Sequence, residues 1–204
     1  MKKTLIYSLP MKKPDQMVYQ NGLFKTEISS DAFFYPIHAY LAKHMTPEDD
    51  YKIIFIVKRN GFGGEIEAER ICREELEQIN AKIGAKIEIK TIATDFDEQK
   101  TVHDMFFSAL IDEIEDESTI IWDSTFGSKD VPLIIFAALN FAEKFLDCEV
   151  EHIFYSQGYY QGKDLVRTKL VTMDSLFSLI SLVNNVDCDS PEKARNLVKL
   201  LTSL

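Results

Sequence analysis

One apolar run constrains the fold of this chain more than any other segment. Between Tyr51 and Val57, every residue except Lys52 is aliphatic or aromatic. A strand with one face in water alternates apolar and polar side chains, whereas a continuous run is typical of a strand that is covered on both faces of a parallel sheet. Parallel neighbours also require crossover connections, which are usually helices. The run therefore predicts an α/β fold.

The remaining segments alternate as this fold requires. Strand patterns are predicted at residues 4–9, 51–57, 86–91, 119–122 and 149–155, and helical patterns at residues 65–82, 98–115 and 131–146. A further helix, with its N-cap among residues 29–31, is predicted to carry Phe33 and Phe34 on its apolar side, after an irregular segment of residues 11–30. This order of elements predicts right-handed βαβ units in a Rossmann-like, doubly wound, mostly parallel sheet.

The C-terminal part of the chain departs from the alternation. Residues 159–172 are expected to form a hairpin or an added edge strand, and two helices are predicted at residues 174–186 and 191–203. The chain is therefore expected to divide into a Rossmann-like domain of residues 1–172 and a small helical appendage of residues 173–204.

Composition excludes several classes of function. The chain has 23 Lys and Arg residues against 33 Asp and Glu residues, a net charge of −10, so the broad basic face that duplex nucleic acid requires is not expected. The N-terminal apolar run ends at Pro10, and it is far shorter than the roughly 20 residues of a membrane span. Neither a membrane nor a duplex nucleic-acid partner is predicted.

Cysteine and histidine usage argues against metals and disulfides. The three cysteines, Cys72, Cys148 and Cys188, are odd in number and contain no CxxC spacing, so neither a disulfide framework nor a zinc site is indicated. The four histidines show no pair at ligand spacing. We therefore expect a reducing, cytoplasmic location and no metal or cofactor.

Two loops at predicted strand ends are the candidate binding elements. Ligands of doubly wound sheets bind at the carboxyl ends of the strands, and the loops after the first and fourth strands would share one crevice if those strands are neighbours. The second loop also precedes a helix N-terminus, which attracts anions. The candidate binding residues are Ser8, Leu9, Pro10, Met11 and Lys12 in the first loop, and Ser124, Thr125, Phe126, Gly127, Ser128 and Lys129 in the second.

The second loop carries a family resemblance. The segment Asp123-Ser-Thr-Phe-Gly-Ser-Lys129-Asp-Val-Pro132, followed by a helix rich in Leu and Ala, resembles the CARF (CRISPR-associated Rossmann fold) family, in which many members carry Asp-x-Thr-His-Gly-Phe-Arg before a proline. Asp123, Thr125 and Gly127 agree with that motif, and Lys129 stands at the arginine position. Phe126 replaces the histidine and Ser128 replaces the phenylalanine of the motif, so no role that needs an imidazole is carried over.

The resemblance implies a function and an assembly. CARF proteins are homodimers that bind a cyclic oligoadenylate, the second messenger of type III CRISPR antiviral defence, in a groove between these two loops. Thr125 and Gly127 would then approach phosphate or ribose, and Phe126 would either stack on adenine or pack inward. CARF domains usually continue into an effector domain, so an effector or another partner is expected at the C-terminal helices.

Other functions stay open at this stage. The first alternative is a metal-independent ring nuclease, in which a ribose 2′-OH attacks the adjacent phosphate and Lys129, Lys12 or Ser8 assists. A second is a cofactor-using Rossmann enzyme built on the turn Gly61–Gly64, although Lys58 and Arg59 occupy the strand end where a ribose-binding acid would stand. A third is an interaction protein without a ligand.

Overall fold

Two compact units make up the chain. The structure, a computed structural model, describes residues 1–22, 26–97 and 99–202. Backbone contacts divide the chain into a unit of Met1–Thr172 and a unit of Met173–Leu204. The first unit holds the sheet and both candidate loops.

One sheet dominates the first unit. Within the described residues it has eight strands, which are β1 (Lys2–Ser8), β2 (Met17–Asn21), β3 (Ala32–Phe33), β4 (Asp50–Arg59), β5 (Lys86–Asp95), β6 (Thr119–Asp123), β7 (Glu149–Gln161) and β8 (Asp164–Thr172). Their order is β3-β2-β8-β7-β6-β1-β4-β5. The pairs β7–β8 and β2–β3 are antiparallel, and the other neighbours are parallel. The predicted α/β, mostly parallel, Rossmann-like fold is confirmed.

The connecting helices follow the predicted alternation. They are α1 (Pro36–His44), α2 (Gly64–Asn80), α3 (Lys100–Glu113) and α4 (Asp130–Phe145). The apolar run in β4 is buried as predicted, since Ile53, Ile54 and Phe55 have no exposed surface. A strand of this kind is covered on both faces.

The strand order reverses at β1. Strands β4 and β5 follow on one side of β1, and β6 and β7 follow on the other. Residues Lys3–Tyr7 of β1 pair in parallel with Thr119–Asp123 of β6, so the first and fourth predicted strands are indeed neighbours. The carboxyl ends of β1 and β6 therefore flank the crevice in which ligands of such sheets bind.

The helix predicted to begin among residues 29–31 begins later. Phe33 ends β3 and Phe34 lies before the helix, so their predicted helical placement is wrong. Pro36 disfavours the helical conformation for the residue before it, and Tyr35 is extended, with φ −114° and ψ 127°. The carboxylate of Glu75 in α2 accepts the backbone N–H groups of Phe34 (2.9 Å) and Tyr35 (3.2 Å), which stabilises this extended entry.

Strand β2 was not predicted, because residues 11–30 were expected to be irregular. It pairs in parallel with β8, from Tyr19 opposite Thr168 to Asn21 opposite Leu170. The expected hairpin is present as β7–β8, but β8 is not an edge strand because β2 covers its other side.

Strand β7 is also longer than predicted. It continues to Gln161, whereas its pairing with β6 ends at Phe154.

The second unit contains two helices, α5 (Asp174–Asn185) and α6 (Pro191–Thr202). The Ser190 hydroxyl accepts the backbone N–H of Lys193 at 3.3 Å, which caps the first turn of α6. Across the described ranges, no helix combines the length and the apolar character that crossing a membrane requires.

Candidate ligand-binding cleft

The first loop leaves the sheet directly above the crevice. Leu9 still pairs with the sheet, since its N–H donates to the Ile56 carbonyl at 3.0 Å, and its side chain is only 2% exposed in the core. The loop then passes close to the start of α2, where a Cβ on Gly64 would lie 2.6 Å from the Met11 carbonyl oxygen. The glycine-rich turn therefore lets the first loop pack against α2, which accounts for Gly64 without a cofactor.

The buried carboxylate of Asp123, at the end of β6, holds the second loop in place. Its side chain is 1% exposed, and its carboxylate accepts the backbone N–H groups of Thr125 (3.0 Å) and Ile37 (3.2 Å). It thereby ties the loop to the first turn of α1. Burial raises the pKa of Asp123, although the hydrogen bonds from Thr125 and Ile37 and the nearby His38 oppose that rise.

The three hydroxyl side chains of the second loop are engaged within the protein. Ser124 Oγ donates to the Phe154 carbonyl at 2.8 Å, and Thr125 Oγ1 accepts the Ser156 N–H at 2.9 Å. Ser128 Oγ donates to the carboxylate of Asp130. These bonds attach the loop to β7 and to the start of α4, so the hydroxyls set the shape of the loop.

Three other candidates differ in their surroundings. Ser8 is 2% exposed, and its Oγ accepts the indole N–H of Trp122 at 3.0 Å. Gly127 has φ +107°, a conformation that residues with a side chain rarely adopt. Lys129 is exposed at the N-terminus of α4 and forms no ion pair within residues 1–22, 26–97 and 99–202.

A cleft of about 600 Å³ opens at the crevice between the two loops. Pro10 and Lys12 line it from the first loop, and Thr125 and Phe126 line it from the second. The structure therefore brings together four of the predicted residues. The other predicted residues lie outside the lining among the described residues; they are Ser8, Leu9, Met11, Ser124, Gly127, Ser128 and Lys129.

A third wall of the cleft was missed by the sequence analysis. It consists of the β7–β8 hairpin beyond the end of β6 together with β2. The additional lining residues from these strands are Met17, Tyr19, Tyr155, Ser156, Gln157, Gly158, Tyr160, Leu165 and Thr168. The pair Tyr159-Tyr160 between Gly158 and Gly162 is a signal in the sequence, but Tyr160 reaches the cleft only because β7 continues beyond its pairing with β6.

The lining combines cations with aromatic rings. Lys12 and the neighbouring Lys13 are both exposed, and one carboxylate, Asp15, lines the cleft with them. The Phe126 ring is half-buried and packs edge-on against Tyr35 at 5.9 Å between centroids, so it packs inward and still contributes to the wall. Such a lining suits an anionic ligand that also carries flat rings.

Lys58 and Arg59 at the end of β4 are held in internal ion pairs. Lys58 Nζ lies 2.6 Å from the carboxylate of Asp130, and both side chains are buried. Arg59 pairs with Glu69 at 3.0 Å. Burial opposes the ionisation of Asp130, but the Lys58 ammonium and the Ser128 hydroxyl hold its pKa below the usual value. The pair joins the start of α4 to the sheet.

No family model and no curated protein sequence matches the chain. In the described part of the chain, no group of three or more His, Cys, Asp and Glu side chains is arranged to hold a metal ion. The function is therefore inferred from the cleft and its chemistry.

Proposed function

We propose that this protein is a sensor of the CARF type, which binds a cyclic oligoadenylate between two copies of the chain. One observation carries the proposal. The loops after β1 and β6 meet at the point where the strand order reverses, and the cleft between them presents lysines and aromatic rings. Ligands of doubly wound sheets occupy this position.

The roles of the motif residues support the resemblance. Asp123 and Gly127 shape the second loop, through backbone hydrogen bonds and a positive φ respectively. Thr125 lines the cleft and is fixed against β7. These residues determine the conformation of the loop. The Asp-x-Thr-x-Gly pattern that the chain shares with the CARF motif therefore favours the same loop geometry.

The charges of the cleft fit the proposed ligand. A cyclic oligoadenylate has one negative charge per nucleotide, and Lys12 and Lys13 outnumber Asp15 in the lining. Charge-assisted hydrogen bonds from such lysines are the stronger kind. The net charge of −10 therefore does not oppose local binding of this anion.

Given the size of the cleft, binding of a whole ring would require a dimer. A volume of about 600 Å³ is typical of a site for a drug-sized ligand. A ring of three to six nucleotides is much larger, so one cleft would hold only part of it. A second copy related by a twofold axis would present the same loops to the opposite side of a ring, which is itself symmetric.

Two further parts of the proposal concern location and partners. A cytoplasmic location is supported by Cys72, Cys148 and Cys188, all of which are free thiols. A partner or effector at α5 and α6 is supported by exposed apolar side chains such as Leu179, Val183 and Leu197.

Titration calorimetry with cyclic tri-, tetra- and hexa-adenylate tests the proposal, with linear tetra-adenylate as the control ligand. We expect one ring size to bind per two chains, and Lys12→Ala to weaken that binding by about tenfold or more, because a charge-assisted contact contributes about 1.5–3 kcal/mol. Lys86→Ala is the matched control, since Lys86 is 80% exposed at the amino end of edge strand β5, away from the carboxyl ends that flank the cleft, and forms only an exposed ion pair with Asp50. No binding to any ring at about tens of micromolar rejects the proposal.

Cleavage of the ring is the weaker candidate. Of its three proposed catalytic side chains, only Lys12 lines the cleft, because Ser8 is buried against Trp122 and Lys129 lies outside the lining. Incubation of the protein with the bound ring in EDTA, followed by chromatography, distinguishes the two activities. We expect the ring to stay intact, and linear products would establish a ring nuclease.

A further inference from the structure

The hairpin wall of the cleft extends beyond the rest of the sheet. Pairing of β7 with β6 ends at Phe154, whereas pairing with β8 continues to Gln161. Residues 155–161 of β7 therefore pair with β8 on one side and with no strand on the side of β6. Two of them, Tyr155 (40% exposed) and Tyr160 (67% exposed), line the cleft.

The two tyrosines at the end of β7 have different surroundings. Tyr159 lies outside the cleft lining among the described residues, and the Arg167 guanidinium sits 4.0 Å from its ring centroid. Consecutive residues of a strand point to opposite faces of the sheet. Tyr160 accordingly lines the cleft, opposite Leu165 of β8, whereas Tyr159 lies opposite Arg167.

Gly158 determines where the Tyr160 ring lies. A Cβ on Gly158 would be 3.0 Å from Tyr160 Cε2 and 2.9 Å from a methyl carbon of Leu165. One part of the ring therefore packs against the bare Cα of Gly158, and a Cβ there would push the ring and the Leu165 methyl group away by a few tenths of an ångström. The remainder of the ring stays accessible from the cleft.

We propose that the Tyr160 ring is a stacking platform for one adenine base of the ligand. This inference rests on the proposed function and adds a residue that neither loop contains. Aromatic side chains stack on bases without regard to sequence, and each such contact contributes substantially to affinity. The one-sided contact with Gly158 reduces the conformational freedom that the ring can lose when the base binds.

Three variants test the inference in titrations with the cyclic adenylates. Tyr160→Leu removes the ring, and we expect its affinity to fall by about 5- to 150-fold. Tyr160→Phe keeps the ring and is expected to bind like the wild type. Gly158→Ala keeps the ring but displaces it, so its affinity should also fall. Because Tyr160 is 67% exposed, its variants should unfold at the wild-type temperature.

The outcomes separate this inference from the proposal on which it rests. Binding by wild type and Tyr160→Phe with a clear loss in Tyr160→Leu supports both. Equal binding by wild type and Tyr160→Leu overturns the stacking role and leaves the ligand assignment intact. If the wild type binds none of the rings, both are overturned.

Discussion

Replacement of Ser8 by alanine distinguishes a structural serine from a catalytic one. Ser8 Oγ accepts the indole N–H of Trp122 at 3.0 Å, in a region where both side chains are almost fully buried. Alanine keeps the Cβ of Ser8, which faces Gly127 in the second loop, so only the volume of the hydroxyl is lost. Only the acceptor is lost, and the indole N–H is left buried without a partner.

The expected cost follows from that single unsatisfied donor. A buried donor without an acceptor costs about 1–3 kcal/mol. In a protein of about 200 residues, each kcal/mol lowers the midpoint of thermal unfolding by about 2–4 °C, so Ser8→Ala should lower it by about 2–12 °C. Affinity for the ring should change little, because Ser8 does not line the cleft.

Fluorescence-detected denaturant unfolding measures this effect directly, because Trp122 is the single tryptophan of the chain. Ser30→Ala is the matched control, since Ser30 is exposed, and its free energy of unfolding should stay within about 0.5 kcal/mol of the wild type. The reasoning is refuted if Ser8→Ala is as stable as the wild type but loses binding or cleavage of the ring.

Three further predictions concern the start of α4. Lys58→Met should lower the free energy of unfolding by up to about 3–5 kcal/mol, because it leaves the buried carboxylate of Asp130 with only the Ser128 hydroxyl and the His103 imidazole, whose Nε2 lies 3.5 Å away. Adding Asp130→Leu should restore most of the loss, and no measurable effect of the single variant in urea unfolding would contradict this. The pKa of Asp130 is lowered in the folded state, so its stabilising effect is present above the unfolded pKa and is lost as the pH falls through the folded pKa. Below about pH 4, the free energy of unfolding should therefore depend less steeply on pH in Asp130→Asn than in the wild type. Identical acid titrations of the two proteins would contradict this. Lys129→Ala should leave the unfolding temperature nearly unchanged, because this exposed cation lies at the positive end of the α4 dipole. The same variant should weaken ring binding less than Lys12→Ala. A large fall in stability would instead show a structural role for Lys129.

The central part of the fold could be predicted from local patterns. The apolar run of β4 specifies a strand buried on both faces, and the alternation of strands and helices restricts the topology to a few doubly wound orders. The neighbouring positions of β1 and β6 follow from the commonest of these orders. Residues of both loops therefore line one cleft.

Strand β2 and the hairpin wall depend on contacts that are distant in the sequence. Thr168 Oγ1 donates to the Val18 carbonyl at 3.1 Å across 150 positions of the chain, and no periodicity near Val18 signals that partner. Tyr160 lines the cleft only because β7 continues beyond Phe154. Local sequence does not show where a neighbouring strand stops.

Residue type alone also does not show where a polar group directs its hydrogen bonds. Ser124 and Ser128 have the chemistry of phosphate ligands, yet their hydroxyls bind the Phe154 carbonyl and the Asp130 carboxylate. Side chains of this kind often bond to nearby backbone and cap positions. The exposed cations that line the cleft are Lys12 and Lys13, so the proposal relies on them for contacts to phosphate.

Native mass spectrometry of the full chain with each cyclic oligoadenylate tests the central claim most directly. We predict a complex that contains two chains and one ring for at least one ring size. A protein that stays a single chain and carries none of the rings would contradict the account.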